Sequence, residues 1–169
     1  MGNRAIVGFQ ENTEAPVLYV YLHWSQYNNC LQDAQKALDH AHPRWDDSSY
    51  AMRMAVGHLI HADYPRDTGS GLSIDNYPEP DYDHWAVINW DKQQVAIWKG
   101  EYTRVDKDYQ RQSDRIIKTL TFDEFLSLTA EEVDKIENAK EAVQIEDDSR
   151  ILTAEEIASL KMAEQIDED

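Results

Sequence analysis

The first hundred residues alternate between short β-rich runs and two helical stretches. Residues 4–9 (RAIVGF) and 17–24 (VLYVYLHW) are rich in β-branched and aromatic side chains, the composition of strands. The polar stretch 11–16 between them ends in Pro16 and predicts a turn, so the two runs form a hairpin. Alternation in the second run sends Val17, Tyr19, Tyr21 and His23 to one face. It sends Leu18, Val20, Leu22 and Trp24 to the other, which is the expected core side. Over residues 28–41 the period lengthens. Leu31, Ala34, Leu38 and Ala41 recur every three or four positions, Cys30 and Ala37 widen the stripe, and His42-Pro43 closes it. A second helix starts at Ser48 or Ser49, either of which can cap it, and stops before Pro65. Its apolar face carries Met52, Val56, Leu59 and Ile60.

A short strand at 72–74 then sits within turn-forming sequence. The runs WAVINW (85–90) and QVAIW (94–98), separated by DKQ, predict a second hairpin. In it Trp85, Val87 and Asn89 face one way, and Ala86, Ile88 and Trp90 the other. Residues 103–120 fit either a strand or the end of a helix begun near Asp108. Beyond 120 the character changes. Thr129…Glu132 and Thr153…Glu156 each match a capping box and predict helix starts, with thin apolar stripes of Val133 and Ile136 and of Ile157, Leu160 and Ile166. The expected fold is α+β: an antiparallel sheet of two hairpins covered by a helical pair, followed by acidic C-terminal helices. The expected domains are an α+β core over 1–120 and an acidic helical segment over 121–169.

Charge adds a functional constraint. Thirty-three acids against sixteen bases give a formal net of -17, and residues 121–169 hold sixteen of those acids with four bases. The stretch 103–120 is locally basic, with Arg104, Lys107, Arg111, Arg115 and Lys118. A field of this sign repels nucleic acids and anionic membranes, and it favours solubility and basic protein partners. No apolar run is long enough to span a bilayer, and none follows Arg4 to act as a signal peptide. The single cysteine, Cys30, fits a reducing compartment.

The candidate chemistry is sparse. His58 and His61 stand three apart on the second helix, and His40 and His42 end the first. With Asp63 they could supply a zinc-ligand set, but they match no zinc spacing, and boundary histidines with ordinary hydrogen bonds account for them better. Cys30 lies on an apolar stripe, without the strained elbow of a nucleophile, so a Cys30–His58 or Cys30–His23 pair has little support. Asp75, Asp81 and Asp83 crowd one loop but match no calcium loop, and Gly69-Ser70-Gly71 lacks the lysine and following helix of a phosphate loop. No cofactor is implied. Tyr19 and Tyr21, on the face away from the expected core, have the character of interface residues.

NRAIV (3–7) followed by VYLHW (20–24) resembles a family of small bacteriophage and prophage proteins that open with an N-R-A strand and a Y-L-H-W strand. The resemblance continues at LSIDNY (72–77) and WAVINW, over roughly residues 3–100. It departs at Ser25-Gln26, where the family commonly has asparagine-glycine. It carries no activity; it implies a phage-related origin and a life in the host cytoplasm. In that setting the acids acquire a specific reading: Glu131, Glu132, Asp134, Glu155 and Glu156, on ordered helices, would present carboxylates where phosphates sit on DNA. The expectation is a protein that binds a basic host protein, in its sharpest form as a nucleic-acid-mimicking inhibitor of a host defence or nucleic-acid enzyme. The alternatives are a small metal-dependent hydrolase using the histidine-bearing helical pair, and a virion or assembly accessory.

Overall fold

A computed structural model of the chain describes residues 4–23, 25, 30–61, 69–75, 84–105 and 108–138. Trp24, Asp63, Asp81, Asp83, Glu155, Glu156 and the helix expected from Thr153 lie outside the described residues. The compact unit runs from Met1 to Glu137, and a second unit comprises Asn138–Asp169. The first unit is an α+β fold on one six-stranded sheet.

In chain order the strands are β1 (Ala5–Gln10), β2 (Leu18–Leu22), β3 (Ser70–Ile74), β4 (His84–Asn89), β5 (Gln94–Val105) and β6 (Asp108–Thr121), arranged in space as β3-β2-β1-β4-β5-β6. The helices are α1 (Cys30–His40), α2 (Ser48–Ile60), α3 (Phe122–Ser127) and α4 (Ala130–Asn138), with a short 3-10 turn at His42–Arg44. The sheet is mixed, a correction to the antiparallel expectation. β1 and β4 run parallel, with Val7 opposite Ala86, while every other neighbouring pair is antiparallel. Turn residues can specify each hairpin locally, but which edges of two hairpins meet, and in what direction, depends on contacts about eighty residues apart. β1 is flanked on both edges and both faces, which explains its continuous apolar run. The ambiguous stretch 108–121 is the strand β6, paired with β5 along its length.

One sheet face carries Ala5, Val7, Phe9, Val20, Leu22, Ala86, Ile88, Val95 and Ile97, and the helices cover it. α1 packs on β1 and β4, α2 on β2, and α3 on β5 and β6. Small residues at the contact (Ala34, Ala37, Ala51 and Ala55, all fully buried) let α1 and α2 sit close. α3 and α4 belong to this layer and carry the compact unit past residue 120. Phe122, Phe125 and Val133 are buried in the main core, and the Gln35 side-chain amide on α1 donates to the carbonyls of Phe125 (2.8 Å) and Leu128 (3.1 Å). Trp45 and Trp90 both meet Phe122 edge-on, at ring centroid distances of 4.8 and 5.4 Å. The opposite sheet face holds a second cluster of Ile6, Tyr19, Trp85 and Val87, with Val17, Tyr21 and Trp98 packed against it.

Candidate functional site

The two helix ends bring two of the four histidines together. His40, the last residue of α1, and His58 on α2 lie with ring centroids 4.9 Å apart. Burial holds the His58 pKa below the ordinary histidine value of 6.5, and the adjacent His40, His61 and Lys36 push it further the same way, against Asp39. The Nε2 of His58 is buried without a hydrogen-bond partner among the described residues, as suits a neutral ring. His42 turns away to stack edge-on with Trp45, and the His23 ring pairs with the Tyr21 hydroxyl at 3.0 Å. Among the described residues no group of three or more histidine, cysteine or acidic side chains is placed to hold a metal ion, and Asp63 lies outside them. Of the alternative metal set His40, His58, His61 and Asp63, the described residues bring His40 and His58 together as a pair, with His61 nearby.

A polar cluster that sequence reasoning did not find occupies the end of the sheet where α1 begins. Asp33, in the first turn of α1, is fully buried, and the Ser25 hydroxyl donates to its Oδ2. A carboxylate in a first helical turn is favoured by the helix dipole wherever it sits, so its type and spacing carry no signal of burial. Cys30 is buried nearby, and its thiol donates to the His84 carbonyl at 3.0 Å. That contact engages the sulfur with backbone.

The acids of α3 and α4 form an ordered exposed array. Thr121 and Thr129 each head a reciprocal capping box. The Thr121 amide donates to Glu124 Oε2 at 2.8 Å while its hydroxyl accepts from the Glu124 amide, and Thr129 and Glu132 repeat the arrangement, also at 2.8 Å. Hydrogen bonds from the threonine amides, reinforced by those from the hydroxyls, lower the pKa values of Glu124 and Glu132 below the ordinary carboxylate value. Glu131 pairs with Lys135 at 2.8 Å on the solvent side of α4, and Asp123 and Asp134 are exposed. T-F-D-E at 121–124 has the same capping signature as T-A-E-E at 129–132, and it was legible by the same rule. Of the tyrosines, Tyr19 is buried and Tyr21 half-buried in the second cluster. No helix among the described residues is long and apolar enough to cross a membrane. Comparison with protein-family models, curated proteins and solved structures finds no match to the chain.

Proposed function

We propose that the chain acts by binding a basic protein through the carboxylates of α3 and α4. The observation that carries this reading is the anchoring of those charges. Phe122, Phe125 and Val133 fix the inner sides of both helices in the core, while Asp123, Glu124, Glu131, Glu132 and Asp134 stand exposed on the outer sides. Fixed charges on a rigid scaffold lose little entropy on engaging a complementary surface, which steers and orients a cationic partner. Glu155 and Glu156 extend the same acidic sequence. With the likeness to bacteriophage proteins, the partner class is a host nucleic-acid-handling or defence protein whose basic channel the acids occupy.

Capture on the immobilised full chain tests this at about 0.1 M and about 1 M salt, between which the screening length falls from about 10 to about 3 Å. A triple variant, Asp123→Asn, Glu131→Gln and Asp134→Asn, removes charge without touching either capping box. A basic nucleic-acid-handling protein retained by the wild type at low salt, released at high salt and missed by the variant is the expected result. Equal retention by the variant overturns the acidic-surface reading, and retention of a phage structural protein instead points to an assembly role.

A further inference from the structure

The outer edge of β3 combines three features that nothing in the acidic-surface reading uses. First, its side chains are uncovered. Leu72 and Ile74 are 59% and 63% exposed, the most exposed large aliphatic residues of the described chain. Among the described residues β3 packs substantially only on β2, because the helical layer ends with α2 over β2. Second, among the described residues its backbone is half-paired in a definite pattern. The Asp75 amide donates to the Val17 carbonyl and the His23 amide to the Gly69 carbonyl, so odd-numbered residues of this segment face β2. In an antiparallel ladder the residues between them then direct their N–H and C=O groups outward. Those residues are Ser70, Leu72 and Ile74, and the outward groups are symmetric about Leu72. Third, β3 and α2 carry no acid within their own spans, with Asp75 following β3 and Asp47 capping α2. Neither Ser70–Ile74 nor Ser48–Ile60 contains an aspartate or glutamate, in a chain carrying thirty-three. α2 is also apolar nearly all round, with Met52, Met54, Val56 and Ile60 only partly buried, as expected for a helix that is covered on more than one side.

We infer that β3 is a dimerisation edge: two copies of the chain pair antiparallel through Ser70, Leu72 and Ile74, with Leu72 at the two-fold axis. A second copy fits better than an unrelated strand for two reasons. The outward groups of a β3 pair satisfy one another completely in the register Leu72–Leu72 with Ser70 opposite Ile74, the self-complementarity an isologous contact requires. A chain of net charge -17 also repels its own copies, and this edge lets them meet without bringing acids of β3 or α2 together. β3 lacks the charged side chains and proline with which exposed edges are commonly protected. Pairing would set Leu72 and Ile74 of one copy against those of the other and extend the six strands to a twelve-stranded sheet.

Sedimentation equilibrium of the full chain, combined with cross-linking, tests the inference. The wild type is expected to move with concentration from 19.6 kDa toward about twice that mass. Leu72→Lys, which places like charges opposite each other at the axis, is expected to weaken association about tenfold or more. An unchanged circular dichroism melt checks that the variant is folded. Register is tested by cysteine placement. A hydrogen-bonded antiparallel pair separates Cα atoms by about 5.5 Å, within disulfide range. Leu72→Cys should therefore cross-link to its own copy on mild oxidation, and Ser73→Cys, on the other face and out of register, should not. A wild type that stays monomeric up to the highest soluble concentration overturns the inference. So does a dimer that survives Leu72→Lys, or one that cross-links through Ser73→Cys in preference to Leu72→Cys. A monomer whose β3 edge instead takes up an unrelated extended peptide would assign the edge to a different occupant.

Discussion

The two faces of the sheet are built from the same strands by different packing. On the helix-covered face, aliphatic side chains meet helices lined with alanine, and close approach of backbones fills the space. On the other face, broad aromatic side chains lie across the strands. Trp85 and Trp98, directly opposite in the β4–β5 ladder, stack with planes 7° apart. Gly8 makes room for their neighbours Val17, Tyr19 and Val87. A Cβ at that position would come within 3.0 Å of Tyr19 Cε1, Val17 Cγ1 and Val87 Cγ2, so three side chains close over the missing methyl. The covered face has its space filled by helices brought in from elsewhere in the chain; the aromatic face fills its own by spreading large rings over small backbone positions. Removal of volume should therefore be costly on the first, and addition of volume on the second.

The largest effect is expected from Phe125→Ala. It empties a fully buried site where α3 meets the sheet and should lower the unfolding free energy by about 3–5 kcal/mol in denaturant titration. A loss below about 1 kcal/mol would mean that α3 docks only loosely on the main core. The contrast between faces sharpens on two adjacent residues of β1. Val7→Ala leaves a cavity on the helix side, while Gly8→Ala overpacks the aromatic side, and each is expected to cost about 1–3 kcal/mol for opposite reasons. Adding Val17→Ala should recover part of the Gly8→Ala loss, because it withdraws one of the three crowding side chains, but should do nothing for Val7→Ala. Equal recovery in both backgrounds would mean that the faces are not packed independently.

Smaller effects belong to the helix ends. Thr121→Ala removes the hydroxyl half of a capping box, leaving the backbone amide bond to Glu124, and should cost about 1 kcal/mol, with Thr121→Ser retaining most of the stability. The pH dependence of stability separates the histidines from the capped acids. The folded-state pKa of His58 is depressed, so the unfolded chain takes up its proton first, and stability falls as pH drops below the ordinary value of 6.5. Glu124 and Glu132 are also depressed, from 4.5; their contribution is complete above that value and is lost as pH falls through their folded-state values. Unfolding curves at about pH 7.5 and about pH 5.5 should thus differ less for His58→Asn than for the wild type. An identical pH slope in the two proteins would show that His58 is solvated in the native state.

Local pattern alone carried much of this fold. Strict alternation in VLYVYLHW and WAVINW separated Val20, Leu22, Ala86 and Ile88 from Tyr19, Tyr21, Trp85 and Val87, because the period of two is imposed by the strand backbone itself. Thr129 marked the start of α4 for the same reason: an N-cap satisfies amides within its own turn. The candidate site was less legible. His40 and His58 meet only because α1 and α2 cross where they do, and the burial of Asp33 and its bond from Ser25 join residues from separate parts of the chain.

The amino-acid sequence by itself determined which face each strand residue of β2 and β4 takes, that helices follow the first hairpin, and how much negative charge the chain carries. Each follows from interactions among residues a few positions apart. Only the tertiary structure decided that β1 and β4 run parallel, that β6 is a strand, that α3 and α4 join the core, and that β3 ends the sheet among the described residues. These features depend on the relative free energies of alternative long-range pairings, and such pairings are chosen by the fit of whole surfaces rather than by any short stretch of chain.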